Sequence, residues 1–287
     1  MVEERQSRKK LVLVCCSNDD AVDRITHILS DCRIERFDDG ESLLAALRNH
    51  PADLVLTGHQ ASAKESVELL QQIRFIQAGI RVILRPREST REDVIAAIRE
   101  RAFSYFSKPF FEAAFGEILR HAIGESPWED NIHVSSATPA WLRLMARSEL
   151  ATADRVIQFM NEMSDLEGKA RESMGFALKE ILMNAMEYGG KFNPERLVEV
   201  SYVRGQRMVL YRIRDPGEGF SLEELPHAAI SNPPEEPVRH LEFRDSMGIR
   251  PGGYGVLLSR KLVDDLIYNE QGNDVLLIKY LEPGPRS

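Results

Sequence analysis

Glu180 and Asn184 lie four residues apart in Lys179-Glu180-Ile181-Leu182-Met183-Asn184-Ala185-Met186-Glu187-Tyr188-Gly189-Gly190. The apolar spacing of this stretch predicts a helix, so both side chains share one face, a turn apart. A carboxylate and a carboxamide presented together can hold a hard cation and orient a proton acceptor. The same pair also occurs on ordinary solvated helix faces, so its meaning rests on two later stretches. Asp215-Pro216-Gly217-Glu218-Gly219-Phe220 closes a predicted strand. Its carboxylate can accept a hydrogen bond from an exocyclic amine, and its alternate glycines let the backbone turn tightly beside a flat ligand. Arg250-Pro251-Gly252-Gly253-Tyr254-Gly255 then opens a helix predicted to run to about Leu266. Glycines at a helix start expose N–H groups at the positive end of the dipole, a seat for phosphates.

The rest of the chain must position these residues. Its 287 residues suit two domains. The boundary is expected in the polar, Gly- and Pro-containing stretch 125–131, where Trp128 stands, giving domains 1–124 and 132–287. The net charge of −8 is uneven, with 18 basic and 19 acidic residues through Gly124 against 19 and 26 after it. An acidic C-terminal half argues against nucleic-acid binding, which needs a basic face. No signal segment or membrane span is legible. Three cysteines, Cys15, Cys16 and Cys32, form neither a disulfide framework nor a zinc spacing, so a reduced cytoplasmic protein with buried thiols is expected.

In the first half, strands at Leu11–Cys15, Ile34–Phe37, Asp53–Thr57, Arg81–Leu84 and Ser104–Phe106 alternate with helices, which predicts a parallel sheet covered on both faces. Asp19 or Asp20 is expected to cap the first helix. The strand Asp53-Leu54-Val55-Leu56-Thr57 and the tail Ala102-Phe103-Ser104-Tyr105-Phe106-Ser107-Lys108-Pro109-Phe110 resemble those of a response-regulator receiver domain, of flavodoxin-like fold. The resemblance puts Gly58 where the phosphoacceptor aspartate would stand, Cys15 and Cys16 in place of the metal-binding acids, and Arg85 in place of the hydroxyl; only Lys108 matches. A glycine accepts no phosphoryl group, which reads as a pseudo-receiver that binds a partner. Asp53 precedes its strand and is no substitute.

In the second half, Ile132–Ser136, Leu197–Val203, Met208–Ile213 and Val275–Leu281 are predicted strands, and Trp141–Arg147 fits strand or helix. Leu150–Met163 and Arg171–Tyr188 are predicted helices, the latter with Met174, Phe176, Ala177 and Ile181 facing inward. This predicts an α+β sandwich. The order of Glu-x-x-x-Asn helix, Asp-x-Gly-x-Gly turn, a long Pro- and charge-rich lid at 221–248, and a glycine-rich loop into a helix resembles the GHKL (Bergerat) ATP-binding fold. Within it, the compact domain and Asp264-Asp265-Leu266-Ile267-Tyr268 look most like the anti-sigma-factor serine/threonine kinases. His121 lacks the helical hairpin of a histidine kinase, and His133 falls in a strand. The resemblance implies that Asn184 holds Mg2+, that Glu180 is the general base toward a serine hydroxyl, and that Asp215 reads adenine. It further implies that Gly217, Gly219, Gly252, Gly253 and Gly255 shape the ATP pocket. Tyr188 departs from it, standing where relatives often have histidine. The implied partners are an anti-anti-sigma-type substrate, a sigma factor or other regulator, and a second copy in a homodimer. The alternative is a non-catalytic, ATP-gated binding module.

Overall fold

The computed structural model describes residues 9–15, 21–58, 60–108, 112–124, 130–220 and 254–281. The chain divides into two compact units, Met1–Asp130 and Asn131–Ser287.

The first unit is a parallel five-stranded sheet in the order β2-β1-β3-β4-β5. Its strands are β1 (Leu11–Cys15), β2 (Arg33–Phe37), β3 (Leu54–Thr57), β4 (Arg81–Leu84) and β5 (Ser104–Tyr105). The helices are α1 (Ala21–Ile28), α2 (Gly40–Asn49), α3 (Ala63–Ile76), α4 (Arg91–Arg99) and α5 (Glu112–Ala122). β1, β3 and β4 are continuous apolar runs because helices cover both sheet faces. Helix starts are set locally: Asp39 caps α2 by accepting from Ser42 N at 2.7 Å, while Ser62 with Glu65 and Thr90 with Asp93 form capping boxes. The Asp53 carboxylate accepts from Leu11 N at 2.7 Å, a structural role at the start of the sheet. Cys15 and Cys32 are half-buried and outside any disulfide, more accessible than expected, and Asp19, Asp20 and Cys16 lie outside the described residues.

The second unit is an antiparallel six-stranded sheet in the order β10-β11-β9-β8-β7-β6. β6 (Ile132–Thr138), β7 (Trp141–Arg147), β8 (Leu197–Arg204) and β9 (Met208–Arg214) pair in chain order, with two helices inserted between β7 and β8, and β10 (Asp265–Tyr268) and β11 (Asp274–Tyr280) complete the sheet. Alternation places Leu142, Leu144, Val200, Tyr202, Tyr211 and Ile213 on the buried face, and the Tyr211 hydroxyl donates to Met160 O of α6 (Leu150–Met163) at 2.8 Å. α7 (Gly168–Asn184) packs beside α6 and against α8 (Gly255–Leu262).

One open alternative is resolved and two details differ from the sequence reading. Trp141–Arg147 is a strand, buried at every second residue and paired on both sides. The helix opened by Gly255 stops at Leu262, because Val263 turns extended and the apolar run that follows pairs with β11 as an edge strand. Phe176 points outward, 42% exposed; the buried stripe of α7 is Met174, Ala177, Leu178, Ile181 and Leu182, which leaves Phe176 on the opposite side.

Candidate functional site

α7 carries both Glu180 and Asn184, on one face as their spacing requires. Directly after Asn184 the helix widens into a π-turn, Ala185–Gly189, closed by Gly190 N donating to Ala185 O at 2.8 Å. A π-turn inserts one residue into the helical register, a feature that clusters at functional sites. Here it brings Gly189 against the end of β9. A Cβ at Gly189 would lie 2.1 Å from Asp215 Oδ1 and 2.3 Å from its Cγ, so only glycine fits. Gly190 is equally confined: a Cβ there would meet Ser148 Oγ at 2.1 Å, and that hydroxyl donates to Met186 O at 2.8 Å.

Asp215 accepts from Gly217 N at 2.8 Å. A Cβ on Gly217 would stand 2.7 Å from Asp215 Oδ1 and 2.8 Å from Gly189 Cα, so helix end, carboxylate and turn form one close-packed unit. Burial raises the Asp215 pKa, and the Gly217 N–H bond opposes that shift only partly. Tyr268 of β10 lies close by, its hydroxyl pushed well up by burial and then by the Asp215 charge. Its ring meets Phe220 edge-on at 5.2 Å between centroids. The carboxyl therefore sits in a partly desolvated pocket with an aromatic wall, able to accept a hydrogen bond from a planar heterocycle.

At the other end, Gly255 begins α8 against Glu180. A Cβ there would lie 2.3 Å from Glu180 Oε2. The structure thus gathers Glu180, Asn184, Gly255, Asp215 and Gly217 along α7 and its π-turn. Gly219 takes φ +82°, a left-handed conformation suited to glycine, with no space for a Cβ beside Gln271 O. Gly252, Gly253 and the stretch read as a lid lie outside the described residues. A groove of 470 Å³ opens behind the Asp215–Gly217 turn, walled by Met145, Leu197, Glu199 and Arg214 of the outer sheet face with Gln271 and Asn273; neither Glu180 nor Asn184 lines it.

The sequence reading took Gly189 only as a helix stop and missed Tyr268, Ser148 and the Gln271–Asn273 turn. Gln271-Gly272-Asn273-Asp274 between two apolar runs is a hairpin signal that would have exposed β10 and its turn.

In the first unit, Gly58 follows β3 and is buried. Arg85 follows β4 and is fully buried; its amide donates to Thr57 Oγ1 at 2.8 Å and its guanidinium lies 5.2 Å from the Phe115 ring centroid. Lys108 is exposed.

Residues 145–279 match the histidine kinase-like ATPase domain, and residues 12–120 match the response regulator receiver domain. The chain joins a receiver domain to a histidine kinase-like ATPase domain. A relative is the serine-protein kinase RsbW of Oceanobacillus iheyensis, 29% identical over 111 residues, which are 38% of this chain and 65% of that protein. The transcriptional regulatory protein GlrR of Escherichia coli is 25% identical over 131 residues, 44% of this chain and 29% of that protein. The chain therefore matches under two thirds of the length of either relative. A CheY-like receiver domain protein from Methanospirillum hungatei is similar over 40% of this chain and 94% of its own, at 19% identity and a TM-score of 0.36. A response regulator from Thermotoga maritima is similar over 40% and 98%, at 18% identity and a TM-score of 0.35. Among the described residues no helix of the two domains is long and apolar enough to cross a membrane.

Proposed function

We propose that the ATPase domain is an ATP- and Mg2+-dependent protein serine/threonine kinase of the anti-sigma, partner-switching type, acting on a small anti-anti-sigma-like protein. The observation that carries this reading is the Glu180 carboxylate, which lies against Gly255 where α8 begins and one helical turn from Asn184. The similarity to the serine-protein kinase RsbW supports it. The residues present fit a nucleotide: Asp215 is a half-buried acceptor, backed by glycines whose side-chain space is already filled. Asp215 would accept from the exocyclic amine of adenine, with Gly217 and Gly219 shaping that end of the pocket. Gly252, Gly253 and Gly255 would line the phosphate end. Asn184 would hold Mg2+ through its carboxamide oxygen. Bound there, ATP supplies the phosphoryl group and Mg2+ neutralises its charge. Glu180 takes the proton from the acceptor hydroxyl as that oxygen attacks.

The receiver domain acts in this reading as a regulatory or docking domain without phosphotransfer. Gly58 offers no nucleophile, and the buried Arg85 side chain stands where a hydroxyl would be needed. The setting is bacterial and cytoplasmic, with a homodimer and a sigma factor or similar regulator as partners, and with no direct contact to nucleic acid or membrane.

The deciding experiment incubates the full chain with labelled ATP, Mg2+ and candidate anti-anti-sigma proteins, beside Glu180→Ala. Label transferred by the wild type and lost in Glu180→Ala, with ATP binding kept by both, is the expected result. ATP binding by both with no transfer to any candidate would favour an ATP-gated binding module instead. Normal ATP binding by Asp215→Asn would remove the adenine assignment.

A further inference from the structure

The turn that follows β9 is gripped from its outer side by the hairpin turn between β10 and β11. Asp215 N donates to Asn273 O at 3.0 Å, and Phe220 N donates to Gln271 O at 3.0 Å. The Asn273 carboxamide donates to Gly217 O at 3.3 Å, and that of Gln271 to Glu218 O at 3.2 Å. The two turns interlock through paired left-handed glycines. The space where a Gly219 side chain would stand holds Gln271 O, and the space at Gly272 (φ +80°) holds Phe220 O, each 1.9 Å from the ideal Cβ.

The gripping turn is itself rigid. Asn269 Oδ1 accepts from the amides of Gly272, Asn273 and Asp274 at 2.8, 3.0 and 3.1 Å. Asp274 forks onto Arg212 with bonds of 2.8 and 2.5 Å. Arg212 continues to Glu199 at 3.9 Å, and Glu199 to Arg143 at 2.5 Å, so a row of alternating charge crosses β11, β9, β8 and β7.

We propose that Asn273 is a positioning residue for base recognition at the nucleotide site. Its carboxamide fixes the Gly217 carbonyl, the same residue's amide fixes Asp215 Oδ1, and the carboxylate is thereby aimed before any ligand arrives. Asn273 acts on the base-reading end alone, because neither Glu180 nor Asn184 is on this path. The inference rests on the proposed ATP site and adds what sets its preference for adenine.

The test measures ATP and GTP affinity of the full chain by calorimetry for wild type, Asn273→Ala and Gln271→Ala, with the nucleotide-free melting temperature of each. Asn273→Ala is expected to weaken ATP about fivefold to tenfold, as for one lost hydrogen bond, while GTP changes less than about twofold. Gln271→Ala, whose carboxamide is solvent-exposed, is expected to act in the same direction by about twofold to threefold, and it carries the test if Asn273→Ala does not fold. ATP and GTP affinities that fall in parallel, or that both stay unchanged, overturn the inference and leave the ATP site standing. A folded wild type that binds no ATP overturns the site reading and the inference together.

Discussion

Gly189→Ala tests the geometry of the site more sharply than removing any polar side chain. The added methyl carbon would lie 2.1 Å from Asp215 Oδ1, 2.3 Å from Cγ and 2.6 Å from Cβ, where ordinary contact begins near 3.4 Å. The Asp215 side chain cannot swing clear without cost, because Gly217 N holds its Oδ1 and its own amide is tied to Asn273 O. Gly189 is held too, its carbonyl accepting from Arg196 Nη1 at 3.2 Å. Something must move by about 1 Å, an overpacking that costs about 1–3 kcal/mol. For a domain of this size the melting temperature should fall by about 3–10 °C. The larger effect is on binding: a displaced carboxylate forfeits a hydrogen bond to a charged acceptor, about 1.5–3 kcal/mol, or a roughly 10- to 100-fold rise in the Kd for ATP. Calorimetric titration with ATP and thermal melting without it read the two effects separately. Because both changes act on one carboxylate, Gly189→Ala combined with Asp215→Asn should bind no worse than Asp215→Asn alone. Wild-type melting and ATP affinity within twofold of wild type, or losses that add in the double variant, would refute the reasoning.

Other outcomes follow from the same contacts. Gly255→Ala meets the end of a flexible side chain, Glu180 Oε2 and Cδ, so the melting temperature should stay near wild type while phosphoryl transfer to a protein acceptor, measured at saturating ATP, falls at least about tenfold; transfer at the wild-type rate would detach Glu180 from catalysis. The raised Asp215 pKa means that the folded domain binds this proton more tightly than the unfolded chain. Asp215 therefore favours folding below the ordinary 3.8 and loses that contribution as pH rises through its higher folded value. ATP needs the ionised form, so affinity should fall as the medium is acidified toward that folded value, and the fall attributable to Asp215 should be absent in Asp215→Asn titrated in parallel. Acetyl phosphate with Mg2+ should add no phosphoryl group to the full chain on intact-mass measurement; a gain of one phosphoryl group mapped to residues 12–120 would overturn the reading of Gly58 and Arg85.

Much of the architecture was legible because it depends on local pattern. The buried runs of β1, β3 and β4 and the period of α6 are properties of short stretches. Glu180, Asn184 and Asp215 were legible as residue types at known spacings. What the spacing could not supply was long-range: β10 is four residues long and is an edge strand only because β11 is there to pair with it. Phe176 was misplaced because an aromatic residue among apolar neighbours reads as core, whereas its angular position on α7 faces away from the sheet. The π-turn left no mark in composition, since Ala185–Gly189 continues an ordinary helical pattern and the widening is set by packing against Ser148 and Asp215.

The glycines of the site also change meaning. Read along the chain, Gly217 and Gly255 suggest backbone cleared for an incoming ligand. In the fold, the space cleared at Gly189 and Gly217 is filled by Asp215, and that at Gly255 by Glu180. These glycines make room for the protein's own carboxylates, with Asp215 fixed by the Gly217 amide and Glu180 lying against Gly255. That distinction separates the substitutions physically. A methyl group at Gly189 pushes on a carboxylate clamped from both sides and should damage binding and stability together. One at Gly255 pushes on a carboxylate at the end of a flexible stem and should damage chemistry while sparing stability. The rigidity of each acid's surroundings, more than the identity of the glycine, decides which function is lost.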